Sequence, residues 1–276
     1  MSLTVVHTIA DLRAALAPLR SGGVAMVPTM GALHAGHLSL VQAASSPTVV
    51  VSIFVNPTQF APHEDFDAYP RDLSSDIARL ETVGTPIVFA PSAREMYPEG
   101  FATTVTVGGP SAGLETDFRP HFFAGVATVV AKLLLTALPD QAVFGEKDYQ
   151  QLLVVKRLVQ DLGLPTGIIG APIAREADGL AMSSRNAYLD PRERAIAGNL
   201  NKVLKDVIAR AKESGELRDA EVYGTAALQA VGFDTVDYVA IRDAGTLALA
   251  DDLSRPARVL AAAKIGRTRL IDNMAL

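Results

Sequence analysis

The sequence predicts an α/β protein, a doubly wound parallel sheet followed by a smaller α+β unit. Three observations carry this. Short runs rich in Val, Ile and Phe recur at strand length, helix-like segments separate them, and the strand runs are apolar throughout rather than alternating. Continuous apolarity implies burial on both faces, the condition of a parallel strand covered by helices.

Taken in order, "GGVAMVP" is the first such strand, and "LHAGHLSLVQAA" reads as the helix after it. "TVVVSIFVNP" follows as a strand, then "DLSSDIARLETVG" as a helix that ends in Gly, as helices often do. "TPIVFAP" is the next strand, and the alternating "FATTVTVGG" is expected to be another. "PSAGLETDFRPHFFAG" has no period and is expected to be a mobile cover over a pocket. "GVATVVAKLLLTAL" is apolar almost all round, which favours a buried helix over a homodimer surface. The strand "QAVFGEKD", the helix "YQQLLVVKRLVQDLG" and the strand "TGIIGAPI" complete the first domain, placed at residues 1–178.

Near residue 176 the pattern changes to the polar stretch "READGLAMSSRNAYLD". Asp190 as N-cap and Pro191 at the first helical position then open a helix whose apolar face is Ile196, Leu200, Val203, Leu204, Val207 and Ile208. A further helical stretch and the strands "DTVDYVAIRD", "ARVLAAAKIG" and "TRLIDNMAL" complete an α+β unit over residues 179–276, expected to cap the site.

Composition narrows the function. With 276 residues and 49% hydrophobic content the chain can bury large cores, and no charge-free apolar run approaches the roughly 20 residues of a membrane span. Cys is absent, which rules out disulfides, thiolate metal sites and Cys nucleophiles. The start, "MSLTVVHTIADLRAAL", has no basic region or cleavage site, so a cytoplasmic location is expected. Net charge is −5 and Lys and Arg form no long block, which argues against a nucleic-acid surface.

In an open parallel sheet ligands bind beyond the carboxyl ends of the strands. The densest polar clusters, "TMGALHAGH", "NPTQF", "GEKDYQQ" and "READGLAMSSRN", each follow a proposed strand. His34 and His37 on a first helical turn can donate to phosphate beside the helix N-terminus, while Gly36 lets a flat group lie against the backbone; a helix-capping or core pair is the alternative. Lys147 puts an ammonium at a strand end, Asp148 can accept from ribose hydroxyls or cap a helix, and Gln151 offers a donor and an acceptor. Ser183, Ser184 and Arg185 suit the β- and γ-phosphates of a nucleotide, or form a turn before the Asp190 cap. Asn56 and Gln59 can bind a small hydroxy acid or amine without adding charge, although Asn-Pro is also a common turn opener. His63 and His121 lie in unrelated segments, which weakens a metal reading of the histidines.

Together the HxGH and the serine-rich loop resemble the HxGH nucleotidyl-transfer superfamily. In addition "VPTMGALHAGHLSL", "SIFVNPTQF", "YPRD", "HFFAGVATVVAKLL", "VFGEKDYQQL", "READGLAMSSRN" and "IGRTRLIDN", in order over essentially the whole chain, resemble the pantoate–β-alanine ligase (pantothenate synthetase) family. The resemblance implies a Rossmann-like fold and ATP-dependent condensation of pantoate with β-alanine through a pantoyl adenylate, releasing pyrophosphate and AMP. Carried over, it puts ATP against Met30, Gly31, Ala32, Leu33, His34, Ala35, Gly36 and His37, with His37 as proton donor and His34 as its phosphate-binding companion. Gly145, Glu146, Lys147 and Asp148 would contact nucleotide, Lys147 on phosphate and Asp148 on ribose, and Met182, Ser183, Ser184 and Arg185 would close over the phosphates. Ala174 stands where the family usually has Val. Gln59 and Gln151, with Asn56, would hold pantoate and then β-alanine. Mg²⁺ is implied on ATP, with no ligands assignable from Asp72 and Asp76, and a homodimer is implied by the family. An adenylyltransferase that stops at a nucleotidyl product and a non-catalytic nucleotide sensor remain as competitors.

Overall fold

The computed structural model describes residues 3–60, 66–85 and 87–276, and the chain divides into two compact units. The first comprises Met1–Glu146 and Val154–Pro172, the second Lys147–Leu153 and Ile173–Leu276. The division thus falls at Pro172, ahead of residue 178, and residues 147–153 group with the second unit although they lie within the span read as the first domain.

Along the chain run β1 (Thr4–Val6), α1 (Ile9–Leu16), β2 (Val24–Thr29), α2 (Ala35–Ala43), β3 (Thr48–Ile53), α3 (Leu73–Glu81), β4 (Ile87–Phe89), α4 (Ala93–Met96), α5 (Glu115–Phe118), α6 (Phe122–Ala137), β5 (Gln141–Gly145), α7 (Tyr149–Leu162) and β6 (Gly167–Ala171). The six strands form one sheet in the order β1-β4-β3-β2-β5-β6, with every pairing parallel. Because β3 and β5 flank β2 on opposite sides, the strand order reverses at β2. The predicted doubly wound sheet is therefore present. Ala25, Val27, Val49, Val51, Val88 and Val143 are buried on one face of the sheet, and Met26, Val50, Ile87, Phe89, Ala142 and Phe144 on the other, which explains why those runs are apolar without alternation. α6 buries twelve of its residues, in keeping with a helix apolar on nearly every side.

Two expectations need correction. Residues 101–107 form no strand: their alternation is real, but most of the segment is exposed, and Val105 N–H donates to the Thr128 hydroxyl of α6 (2.9 Å) instead of to a neighbouring strand. The stretch 110–125, read as lacking a period, holds α5 and the start of α6.

The second unit adds α8 (Pro191–Ala197), α9 (Asn199–Ser214), α10 (Leu217–Ala230), β7 (Thr235–Asp243), β8 (Ala257–Ile265) and β9 (Thr268–Ala275). β7, β8 and β9 make an antiparallel sheet in that order, and Leu200, Leu204, Val207, Leu228, Ile241 and Val259 lie at the centre of the core between sheet and helices. Asp190 caps α8 as predicted: its carboxylate accepts from Glu193 N–H (2.8 Å) while the Glu193 carboxylate accepts from Asp190 N–H (3.0 Å). The single helix expected from the apolar face is broken at Gly198, where a Cβ would lie 2.5 Å from Asp178 Oδ2.

Candidate active site

β2 and β5 pair only at Ala25–Gln141 and Met26–Ala142, although β2 runs on to Thr29 and β5 to Gly145. The strands part at their carboxyl ends, where the order reverses, which is where an open α/β sheet receives its ligand.

The loop after β2 is tightly specified. Thr29 donates its hydroxyl to Ser52 O (2.7 Å) and accepts from Gly31 N–H (3.2 Å). Gly31 (φ 82°) and Ala32 (φ 51°) both take left-handed backbone, and a Cβ on Gly31 would sit 2.9 Å from Asp76 Oδ2. That carboxylate, buried within α3, accepts from Ala32 N–H (Oδ2, 3.0 Å) and Leu33 N–H (Oδ1, 2.7 Å). Burial pushes the Asp76 carboxyl above its ordinary range, and the two N–H bonds oppose that shift without cancelling it. Asp76 is thus committed to the loop backbone. Asn at this position offers one acceptor and turns an NH₂ toward the other N–H, so Asp76→Asn is expected to cost about 1–3 kcal/mol in urea unfolding; an unchanged midpoint and slope would refute the tether.

α2 begins on the histidines themselves. His34 is its N-cap in extended conformation, its Nδ1 accepting from Gly36 N–H (3.1 Å), while His37 Nδ1 accepts from His34 N–H (3.3 Å). The rings lie 4.1 Å apart at 42°. With Nδ1 accepting in both rings, the hydrogen bonds assign the ring proton to Nε2, so each imidazole is an Nε2–H donor at a helix N-terminus. The capping reading and the anion-binding one are compatible: the cap sets the tautomer that a phosphate would need.

The loop after β3 departs from expectation at Asn56. Its amide is buried and donates to Gln59 Oε1 (2.9 Å) and Gly125 O (3.2 Å), while its Oδ1 accepts from the Tyr97 hydroxyl (2.8 Å), the Thr58 hydroxyl (3.0 Å) and Thr58 N–H (3.3 Å). Asn56, offered by the sequence as a substrate ligand, has its hydrogen-bonding capacity taken up internally, and it orients Gln59. With Gln59 Oε1 accepting from Asn56, Nε2 is the end that can donate to a ligand. Arg119 steadies the same turn by donating to Gln59 O (3.0 Å), with its guanidinium 3.9 Å from the Phe122 ring centre.

In the second unit, Lys147 and Asp148 lie in the short turn Glu146–Asp148, with Nζ 3.8 Å from Asp148 Oδ2. Gln151 follows, half-buried, in the first turn of α7. Residues 174–182 fold back on themselves, Met182 N–H donating to Ala174 O (2.9 Å) around the turn at Gly179 (φ 93°). The Ser183 hydroxyl then caps the turn Ser184–Tyr188, accepting from Arg185 N–H (3.3 Å). Lys147 and Asp148, like Ser184 and Arg185, therefore lie in short turns.

Sequence reasoning missed Asp76 as a loop anchor, and Tyr97, Arg119 and Gly125 altogether. One signal was available: Asp76 shares a helix face with Leu80, four residues on, and an acid on an apolar face needs a partner. Among the described residues no three His, Asp or Glu side chains gather to hold a metal ion, and His63 lies outside them. No helix among them is long and apolar enough to cross a membrane.

Residues 4–275 match the family model of the pantoate–β-alanine ligases. The chain belongs to the pantoate–β-alanine ligase family. It is 57% identical to the pantothenate synthetase of Mesorhizobium japonicum over 98% of this chain and 96% of that one, and 54% identical to that of Rhodospirillum rubrum over 99% of both. The crystal structure of pantothenate synthetase from Thermus thermophilus superposes with a TM-score of 0.93 at 50% identity, covering 99% of each chain. The ligase of Francisella tularensis, solved with β,γ ATP and β-alanine, does so at 0.83 and 34% identity over 99% of this chain and 97% of that one. As a pantoate–β-alanine ligase, the chain is an enzyme that joins pantoate to β-alanine with the use of ATP.

Proposed function

We propose that the reaction runs through these turns in two displacements. A pantoate carboxylate oxygen attacks the α-phosphorus of ATP, the bond to the bridging oxygen breaks, and pyrophosphate leaves. The amine of β-alanine then attacks the acyl carbon of the pantoyl adenylate, AMP departs with its oxygen, and the amine gives up a proton. The carboxylate needs this activation because AMP is a far better leaving group than oxide. Charge gathers on phosphate oxygens, so the protein's contribution is positioning and electrostatics.

The observation that carries the assignment of residues is the histidine pair, with Nε2–H donors defined by the first turn of α2 where β2 and β5 part. His34 and His37 donate to ATP phosphate, and the loop Met30–Leu33 with Ala35 and Gly36 supplies backbone contacts. Lys147 neutralises phosphate charge, Asp148 accepts from ribose, and Gly145, Glu146, Ala174 and Met182 line the nucleotide. Ser183, Ser184 and Arg185 hold the β- and γ-phosphates. Gln59, through Nε2, and Gln151 hold the hydroxyls of pantoate. Mg²⁺ arrives on ATP, since both Asp76 oxygens already serve the loop backbone. The enzyme works as a homodimer, as its family resemblance implies, in the cytoplasm, where ATP is supplied.

The test is pyrophosphate release from purified protein with ATP and Mg²⁺, comparing no acid, pantoate, and pantoate with β-alanine. Release that requires pantoate, with AMP and an amide product only after β-alanine is added, is the expected result. Release indifferent to pantoate from folded protein would overturn the two-step scheme.

A further inference from the structure

β9 carries two polar side chains that are almost inaccessible, Asp272 at 1% and Asn273 at 2% exposure. A buried charge and a buried amide are costly unless every polar atom is matched, so their partners show what they are for. Asp272 grips Arg175 with both oxygens, at 2.8 and 2.9 Å, and its Oδ1 also accepts from Asn273 N–H (2.7 Å). Arg175 in turn donates to Gly179 O (2.9 Å) and Asn273 O (3.3 Å), tying β9 to the first arm and the turn of the hairpin that delivers Met182–Arg185.

Asn273 reaches another segment. Its Nδ2 donates to Lys147 O (2.9 Å), and its Oδ1 accepts from Arg258 Nη1 (2.5 Å). The Arg258 guanidinium lies 3.8 Å from the centre of the Tyr149 ring, and the Tyr149 hydroxyl donates to Ala244 O (2.7 Å). Successive side chains of a strand point to opposite faces, so two neighbouring residues of β9 reach two segments far apart in sequence.

We propose that Asp272 and Asn273 are positioning residues for adenylation, a clamp in which Asn273 sets the backbone of Lys147 and Asp272, through Arg175, sets the serine loop. This rests on the assignment of Lys147 and Ser183–Arg185 to the ATP phosphates. A clamp that served stability alone would be replaceable by apolar residues of similar volume. One that positions charge transmits each displacement of Lys147 to the rate.

Asn273→Asp tests it with little change of shape, keeping an oxygen for Arg258 while facing the Lys147 carbonyl with an acceptor. The experiment is a double-mutant cycle with Lys147→Ala, read as pantoate-dependent pyrophosphate release, with KM for ATP and pantoate and the melting temperature of each variant. Asn273→Asp is expected to lower kcat/KM for ATP about 10- to 30-fold, leave the pantoate KM within about twofold, and cost no more than about threefold when Lys147 is already Ala. Asn273→Ser, too short to reach Lys147 and Arg258 together, carries the same expectation should the Asp variant not fold. Equal losses in both backgrounds, or a loss matched by the unfolded fraction, would overturn the clamp. Should Lys147→Ala itself leave the use of ATP unchanged, the assignment of Lys147 falls first, and the clamp with it.

Discussion

Lys147→Ala is expected to lower pantoate-dependent pyrophosphate release by about 10²- to 10³-fold, the usual cost of removing one preorganised group that meets charge in the transition state. The ammonium stands two residues beyond the end of β5, on a backbone fixed by Asn273. Its side chain is 21% exposed and its neighbour Asp148 is 3.8 Å away, so it is partly shielded from water without being locked into a close ion pair. Charge in such a place acts at a lower dielectric than in bulk solvent. Arg keeps the charge but presents a wide planar fork, so Lys147→Arg should recover only part of the rate. Single-turnover formation of the adenylate is the measurement. A rate within about threefold of the parent, far below the loss expected for such a group, would remove Lys147 from the chemistry.

Gly125→Ala should weaken both folding and pantoate binding. In the middle of a helix, Ala is ordinarily better than Gly by about 1 kcal/mol. Here the added Cβ would run into Thr58 O and lie 2.8 Å from Thr58 C, and backbone cannot swing aside as a side-chain tip can. Either α6 or the turn Pro57–Gln59 must move, at an overpacking cost of about 1–3 kcal/mol. The same shift strains the bond from Asn56 to Gly125 O and, through Asn56, the amide of Gln59. Urea unfolding should show net destabilisation, and the pantoate KM should rise at least about tenfold with the ATP KM little changed. A more stable variant with normal pantoate kinetics would show that the close approach carries no weight.

What the sequence reveals and conceals follows from how local each determinant is. β2, β3, β4 and β5 are legible because burial on both faces leaves a continuous apolar run, and β6, only half-buried at the sheet edge, because its Ile168 and Ile169 still stand out. β1 is three residues at the sheet edge, too short to stand out, and residues 101–107 alternate as a strand does without gaining strand partners. Gly198, at the break between α8 and α9, packs against Asp178 of a different segment, a contact no local pattern reveals. The histidine pair is legible because Gly36 and two imidazoles within four residues are a local signal. Asp76 acts on residues 43 and 44 positions away, and Asn56 faces Gly125 and Tyr97, so their roles appear only when distant segments meet.

The bond between Asn273 and Lys147 spans 126 positions. A nascent chain folds from its amino-terminal end as it is made. The sheet and the histidine turn can therefore assemble while the lysine turn still lacks its support, and a product of synthesis cut short before Asn273 never acquires it.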